Sequence, residues 1–460
     1  MAAGGVLPVR TGAGYGGVGV LALALVPDGH FDGMTRSRLK KYLVGALLVL
    51  AVARFAVAFE AGTRFYRGDF YASLPGAYAE TVNPALWNSP DLEHIQGRSA
   101  AYLRGPTQYL TLYPLVYLDT YQAIARVLLV VYALAIVLIA VLMHRLLRDV
   151  HGEPVAWAPV VISTLLFFPL LQAWMAREFE VLIVLAFTLA LLAAVRQRLA
   201  LLGGLLAYVT LYKYLPLVAV PYLIARRWWA SLAGFVAVGG AMLALAHWLF
   251  GLEGFVNNHI PGMATGQLTS LASTNAFCDG LVPLLRYTET GQGVSVRIAL
   301  CGLSRVVPFS PPVAFIVLAL LTAGLSIYGF VRLERAGPLP VRSERWRRVW
   351  ELSVIVLVVS TFFYAHYYYL AALILPLNAL LVFLTRGPVW PWRQLSLWAL
   401  AYWLLASFLV PPSFASRLLG IDLWRLYFLS LAVLPGTLIL LGLVLWQYLT
   451  IPLQEERSQG

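Results

Sequence analysis

Residues 127–143 read VLLVVYALAIVLIAVLM, an apolar run that is followed by His144, Arg145 and Arg148. A helix that crosses the hydrocarbon core of a bilayer needs about 20 predominantly apolar residues. Together with the residues from 119 onward, this run is long enough for one such helix. The cations after it favour the cytoplasmic side, where Lys and Arg are retained. The stretch therefore predicts a transmembrane helix with a defined direction.

The apolar character extends over the whole chain, because 60% of its 460 residues are hydrophobic and only 12% are charged. That charged share is about half of what a typical soluble domain carries, and the mean hydropathy is +0.78. So few charges cannot cover the core of a soluble protein of this length. The composition excludes an ordinary globular enzyme, a disordered chain and a disulfide-stapled scaffold. It predicts an all-α polytopic membrane bundle, with residues for at most about 13 spans.

The distribution of charge predicts the topology. The 33 Lys and Arg residues exceed the 21 Asp and Glu residues, which gives a net charge of +12. The cations lie in short clusters between apolar runs, a pattern that sets membrane orientation and does not indicate nucleic-acid binding. A first cluster at 36–41 precedes the first span, so we expect both termini in the cytoplasm and about 12 passes. Two long outer segments, 61–108 and 251–311, separate some of the spans. We interpret the arginine clusters as topology determinants and nothing more.

The distribution of apolar runs and basic clusters divides the chain into three parts. Residues 1–35 are Gly-rich, and we expect them to be disordered or to precede the true start, for which Met34 is a candidate. Residues 36–452 form a single transmembrane domain, and residues 453–460 form a cytoplasmic tail.

The stretch 199–225 lies between basic clusters at 196–198 and 226–227. A single pass would place one of these clusters outside. Two short passes, broken near Lys213 and Pro216, keep both inside. A charge and a proline at membrane depth are typical of interrupted helices that line a substrate site. We therefore predict a broken helical hairpin.

Carboxylates in the first outer segment are candidates for a general base or for a metal site. Asp69 lies shortly after the first span, where it could take a proton from an acceptor hydroxyl or simply cap a helix. Asp91 and Glu93 are two residues apart and could bind a divalent cation through oxygen, although such pairs are common in loops. The second outer segment holds Cys278 and Cys301, for which a disulfide and two free thiols are both open.

A histidine, a lysine and one tight turn with two carboxylates complete the candidates. His366 lies in an aromatic stretch, where it could contact a phosphate or act as an ordinary interfacial residue. Lys213 is costly in an apolar run unless it is paired, and it could neutralise a phosphate or a glutamate, or snorkel to the interface. Arg177, Glu178 and Glu180 occupy a tight outer turn between two spans.

Four short motifs occur in the order that is typical of one enzyme family. They are Gly-Asp-Phe at 68–70, Leu-Thr-Leu-Tyr-Pro at 110–114, Leu-Tyr-Lys-Tyr-Leu-Pro at 211–216, and the aromatic histidine segment at 366–376. Together they resemble glycosyltransferase family 87, whose members are membrane enzymes of GT-C architecture, and the resemblance covers roughly residues 42–385. Their order and spacing carry the resemblance.

The resemblance implies an inverting hexosyltransferase of the bacterial plasma membrane, with its active site on the outer face. Its donor would be a polyprenyl-phosphate sugar, with mannose as the expected hexose, and its acceptor a lipid or a glycan. No cofactor is implied. In this resemblance, Asp69 corresponds to the family's catalytic base. His366 corresponds to the histidine that contacts the donor phosphate. Lys213 matches a lysine that precedes a proline in the family's motif.

The turn at 176–180 departs from the Gly-Gln-x-Asn-like sequence of many relatives, which leaves the sugar and the acceptor open. We count Arg177, Glu178 and Glu180 in this turn, together with Tyr113, as candidate substrate contacts. Asp91 stays a rival for the base, and its pairing with Glu93 leaves a metal-dependent variant open. The alternative function is a transporter or flippase for a lipid-linked sugar or anion. It would require paired charges at the midplane and two pseudo-symmetric halves.

Overall fold

The computed structural model describes residues 33–64, 106–118, 120–213, 215–250, 277–278, 295–304, 307–362, 367–385, 391–406 and 433–459. Over these ranges all regular structure is helical, which confirms the predicted all-α bundle. Three 3₁₀-helices occupy Tyr113–Tyr117, Leu215–Val218 and Tyr367–Leu373. The α-helices are α1 (Gly33–Arg64), α2 (Pro106–Leu112), α3 (Tyr121–His151), α4 (Trp157–Leu166), α5 (Phe168–Met175), α6 (Glu180–Val195), α7 (Leu199–Lys213), α8 (Ala219–Ala225), α9 (Trp229–Phe250), α10 (Val296–Leu303), α11 (Pro311–Arg335), α12 (Val341–Thr361), α13 (Ile374–Leu384), α14 (Trp392–Ala406) and α15 (Val433–Gln459).

Several of these helices can cross a bilayer. In the described ranges, α1, α3, α9, α11 and α15 each contain a long apolar stretch, and α4 with α5 forms a sixth candidate that is bent by 54°. Shorter apolar helices cover Glu180–Val195, Leu199–Tyr212 and Tyr369–Leu384. The protein is therefore a polytopic membrane protein, while the total of about 12 passes stays a prediction. Helix α15 extends into the predicted tail, to Gln459.

The predicted inner clusters meet on one face of the bundle, which we call the basic face. Arg196, after α6, forms an ion pair with Asp149 at the end of α3, with 2.8 Å between Nη2 and Oδ2. Arg345 donates to the carbonyl oxygen of the same Asp149 at 2.6 Å. Arg332 donates to the Leu449 carbonyl at 2.9 Å, so the last turns of α15 lie on this face as well. Charge clusters that are far apart in sequence thus lie on the same side, as the positive-inside pattern predicts.

An ion-pair network extends from the basic face into the bundle. Arg226 contacts Glu334 at 3.0 Å, Glu344 at 2.5 Å and Glu351 at 3.5 Å. Arg347 contacts Glu334 at 2.6 Å and Glu351 at 2.9 Å. These contacts join the end of α8 to α11 and α12. Our interpretation of the arginine clusters as topology determinants alone is therefore wrong, because these arginines also hold helices together.

Glu351 is the centre of this network. Its two oxygens also accept hydrogen bonds from the hydroxyls of Tyr222, at 2.8 Å, and Tyr448, at 3.1 Å. Burial alone lowers the pKa of the Arg226 guanidinium, but Glu351, Tyr222 and Glu344 together raise that pKa above its ordinary value. Arg226 therefore stays charged, and its buried charge is matched by carboxylates.

Helices α7 and α9 pack closely and run in the same direction. A Cβ atom on Gly203 would lie 1.7 Å from the Ser231 carbonyl oxygen, and one on Gly234 would lie 2.2 Å from the Ala200 carbonyl oxygen. Further along, Ala207 faces Gly239. Small residues allow this close approach of two backbones in a membrane.

Because both helices start at the same face, the chain between them must return to that face. Helix α7 ends at Lys213, and the 3₁₀-helix Leu215–Val218 and α8 form the return. This confirms the predicted break near Lys213 and Pro216. The returning leg is short, however, since its residues at 215–225 rise only about 20 Å against a hydrocarbon core of about 30 Å.

Gly203→Ala is expected to lower the thermal midpoint of the protein in detergent, because the added methyl group pushes two backbones apart. Overpacking of this kind costs about 1–3 kcal/mol. Gly240→Ala is the matched control, since nothing lies within 4 Å of its Cβ position. The midpoints can be compared by size-exclusion chromatography after heating. Equal midpoints for the two variants would contradict the close packing.

Candidate functional site

Within the described ranges, the face opposite the basic face has a recessed centre, because α6 and α7 are short. Helix α6 has 16 residues and α7 has 15, so they rise about 24 and 22 Å. Helix α3 beside them has 31 residues and rises about 46 Å. Residues at the upper ends of α6 and α7 therefore lie below the level that α3 reaches. We call this region the recess.

Arg177, in the turn between α5 and α6, is buried and joins three segments around the recess. Its Nε donates to the Ala125 carbonyl at 3.0 Å, its Nη2 to the Gly62 carbonyl at 2.5 Å and its Nη1 to the Met175 carbonyl at 3.2 Å. Its φ of +56° is a left-handed conformation that a non-glycine residue rarely adopts. The hydrogen bonds hold this conformation and fix the end of α1, whose last carbonyls lack partners within the helix.

Trp174 strengthens the same junction one turn earlier. Its indole N–H donates to the Leu129 carbonyl at 2.7 Å, and its ring stacks on Phe55 of α1 with 4.4 Å between centroids. Trp174 and Arg177 together fasten α1 to α3.

Two buried carboxylates follow Arg177. Glu178 is 4% exposed and Glu180 is 5% exposed. Glu180 is the first residue of α6, where the helix N-terminus stabilises negative charge. One of its oxygens accepts a hydrogen bond of 2.6 Å from the Tyr212 hydroxyl at the end of α7. The Phe179 ring packs against Tyr212 with 4.9 Å between centroids.

A small buried cavity, which we call the pocket, lies between α6, α7, α12 and the 3₁₀-helix at 367–373. Its polar lining residues are Glu180, Tyr212, Ser360 and Tyr369. Its other walls are the apolar side chains Ile183, Val184, Phe187, Val359 and Ala372. Four separate elements thus contribute polar side chains to one small buried cavity, whose volume of about 10 Å³ has room for about one water molecule.

Helix α2 borders the recess. Thr107 donates to the Tyr208 carbonyl at 2.7 Å, and the hydroxyls of Thr111 and Tyr208 are 3.0 Å apart. Tyr113, a predicted substrate contact, begins the next 3₁₀-helix, and its hydroxyl is 3.0 Å from that of Tyr117. Tyr113 does not line the pocket.

Of the other predicted site residues, the structure describes the backbone of one, Lys213, and neither Asp69 nor His366. Lys213 is the last residue of α7 and follows Tyr212 of the pocket, but its side chain is not described. His366 lies outside the described residues and directly precedes the 3₁₀-helix that carries Tyr369. Asp69 also lies outside them, five residues after α1 ends at Arg64.

Asp91 and Glu93, the weak candidates for a metal, lie outside the described residues too. Where side chains are described, no group of three or more His, Cys, Asp or Glu residues could hold a metal ion.

Cys278 and Cys301 form a disulfide, which settles the alternative that the sequence leaves open. They belong to a small apolar cluster with Phe315, one turn into α11, and Phe362, directly after α12. The Phe315 and Phe362 rings are 5.7 Å apart. Both rings lie at the helix ends away from the basic face, so the disulfide is on the same side as the recess.

Ser360 and Tyr369 are pocket residues that sequence reasoning missed. Both lie close in sequence to His366, but nothing in their local pattern separates them from other polar or interfacial residues. The Glu180–Tyr212 contact was missed as well, because it joins two helices across a basic turn.

Comparison with known proteins identifies a family. The family model described as Glycosyltransferase family 87 matches residues 102–361, more than half of the chain. The matched region includes α2–α12, the disulfide and the turn with the buried carboxylates. No curated protein and no solved structure matches the chain.

Proposed function

Since the chain belongs to glycosyltransferase family 87, we propose that it is an inverting hexosyltransferase with a polyprenyl-phosphate sugar as its donor. The family supports transfer of a sugar from a donor to an acceptor, and the apolar helices place the enzyme in a membrane. Mannose is the hexose that we propose, and a lipid or a glycan is the acceptor. The reaction would take place at the recess, on the outer face of a bacterial plasma membrane.

In the proposed reaction, the Asp69 carboxylate takes the proton of an acceptor hydroxyl. The acceptor oxygen forms a bond to the anomeric carbon, and the bond between that carbon and the phosphate oxygen breaks. The polyprenyl phosphate leaves with the electron pair. His366 and Lys213 stabilise the negative charge that develops on the phosphate, an effect that is large where water is excluded. The chemistry requires no cofactor.

The pocket is the observation that supports this assignment. It is lined by Tyr212, the chain neighbour of Lys213, and by Tyr369, three residues after His366. Tyr212 and Tyr369, which are close in sequence to these two candidates, therefore line the same pocket. Arg177 fastens the end of α1, which leads to Asp69, to the same side of the bundle.

Two further observations support the outer face. The disulfide on the recess side favours an oxidising compartment. The arginines on the basic face favour the cytoplasm.

The donor class can be tested with the purified protein in lipid nanodiscs and a bacterial lipid extract as the acceptor source. We expect label from polyprenyl-phosphate [¹⁴C]mannose to enter the acceptor fraction, and label from GDP-[¹⁴C]mannose to stay in the nucleotide. Transfer from the nucleotide sugar alone would contradict the lipid donor. In proteoliposomes, translocation of the donor without transfer would favour the transporter alternative.

A further inference from the structure

Two helix connections on the basic face have the same backbone geometry. Each contains one residue in the left-handed conformation, which is Gln197 between α6 and α7, with a φ of +58°, and Arg227 between α8 and α9, with a φ of +54°. After the first of them, the Arg198 amide donates to the Ala193 carbonyl at 2.8 Å, and the Trp228 amide after the second makes the corresponding bond at 3.0 Å. Each connection therefore has a fixed backbone and carries an arginine, Arg198 in one and Arg227 in the other.

The two connections are neighbours, because α7 and α9 touch near their starts. A Cβ atom on Gly203, in the second turn of α7, would lie 1.7 Å from the carbonyl oxygen of Ser231, in the first turn of α9. Arg198 directly precedes α7, and Arg227 lies two residues before α9. The two arginines therefore belong to one region of the basic face, which we call the arginine corner.

The charges of the arginine corner are not matched by the described part of the chain. Both side chains are exposed, and neither guanidinium has a hydrogen-bond or ion-pair partner among the described residues. Their sequence neighbours differ, since Arg196 pairs with Asp149 and Arg226 with Glu351. The carboxylates whose side chains are described on this face are all paired, and they are Asp149, Glu153, Glu334, Glu344 and Glu351.

Exposed apolar side chains continue from the arginine corner along both helices. Leu201 is 49% exposed and Trp229 is 61% exposed. Val236, two turns further along α9, is 64% exposed. Helix α9 is long and apolar enough to cross a membrane, so its exposed side chains contact lipid chains. Tryptophan beside arginine is typical of the membrane–water interface. A cationic pair beside an apolar surface thus matches a molecule with an anionic head and acyl chains.

We propose that Arg198 and Arg227 bind the phosphate of an acidic phospholipid in the leaflet at the basic face. A guanidinium group donates to phosphate oxygens through its planar fork. Each arginine near an anionic membrane surface contributes about fivefold to binding. Phosphatidylcholine contains the same phosphate, but its own choline cation competes for that group. The acyl chains of the bound lipid lie along Leu201 and Val236. The site is on the side opposite the recess and is independent of the proposed reaction.

Trp229 provides the signal for the test, because brominated acyl chains quench indole fluorescence on contact. The purified protein is reconstituted in phosphatidylcholine vesicles that contain an increasing share of brominated phosphatidylglycerol, and a parallel series contains brominated phosphatidylcholine. Subtracting the emission of Trp229→Phe isolates Trp229 among the 14 tryptophans. We expect phosphatidylglycerol to associate about 5- to 30-fold more tightly than phosphatidylcholine, the range for one to two arginines.

The variants are each measured with and without Trp229→Phe. Arg198→Gln with Arg227→Gln should reduce the preference for phosphatidylglycerol to less than about twofold, since only the general surface potential then remains. Each single substitution should reduce it about fivefold at most, which keeps the test decisive if the double variant cannot be purified. The matched control is Arg126→Gln with Arg145→Gln, which removes the same charge from two exposed positions of α3. It should keep the preference of the wild type.

Three results would overturn the proposal. Equal quenching of wild-type Trp229 by the two lipids would mean that the arginine corner does not select an acidic head group. An equal loss in the α3 control would assign the preference to net charge. Loss of the preference on adding inorganic phosphate, but not chloride of the same ionic strength, would assign the site to a free phosphate ion.

Discussion

Asp69→Asn is expected to lower the rate of sugar transfer by about 100- to 10,000-fold, the range over which a general base accelerates a reaction. Asparagine has nearly the shape of aspartate but cannot accept the proton of an acceptor hydroxyl at neutral pH. The loss should appear in kcat, and the KM for the polyprenyl-phosphate donor should change little. Initial rates at saturating donor and acceptor measure this effect.

Asp91→Asn is the informative companion, because Asp91 lies in the same predicted outer segment and is the rival for the base. We expect its rate to stay within a few-fold of the wild type. A large loss in Asp91→Asn together with an active Asp69→Asn would move the base to Asp91. A loss that is restored by added divalent cation would favour the metal-dependent variant instead.

Glu351→Gln is expected to destabilise the folded protein by about 3–5 kcal/mol, the cost of removing one partner from a buried ion pair. Glu351 is 6% exposed and faces both Arg226 and Arg347. Without its charge, two buried guanidinium groups lose a shared counter-ion. We expect a large fall in the thermal midpoint and in the yield of monodisperse protein.

Glu334→Gln is the matched control for this effect. Glu334 contacts the same two arginines, Arg226 and Arg347, but its side chain is 49% exposed. Water screens such a pair, so its loss should cost at most about 1 kcal/mol. Equal midpoints for Glu351→Gln and Glu334→Gln would show that burial does not set the strength of the network.

The helical fold and the gathering of the basic clusters on one face could be predicted from sequence, because both depend on local composition. Hydropathy over about 20 residues predicts a span, and the cations beside it predict its direction. The break at Lys213 was predictable for the same reason, since Pro216 and a charge interrupt an apolar run. The family was predictable from short motifs in a fixed order, and the match over residues 102–361 confirms it.

Contacts between distant helices could not be predicted in this way. The bond between Tyr212 and Glu180 depends on the packing of α6 against α7, and the pairing of Arg226 with Glu351 depends on where α8 meets α12. A sequence pattern shows that a buried carboxylate needs a partner, but it does not say which of 33 cations or 24 tyrosines supplies it. The roles of Asp69, His366 and Lys213 stay predictions.

The arginines of the ion-pair network act in two stages, first in membrane insertion and then in helix assembly. On the proposed topology, Arg226, Arg347 and Arg348 act during insertion as separate cations that retain their loops in the cytoplasm, and nearby acidic residues weaken this signal little. Once the helices have assembled, Glu344 and Glu351 pair with them. Insertion therefore uses a charge that the folded protein later neutralises. A variant such as Glu351→Gln should insert with the normal orientation and fail only at helix assembly.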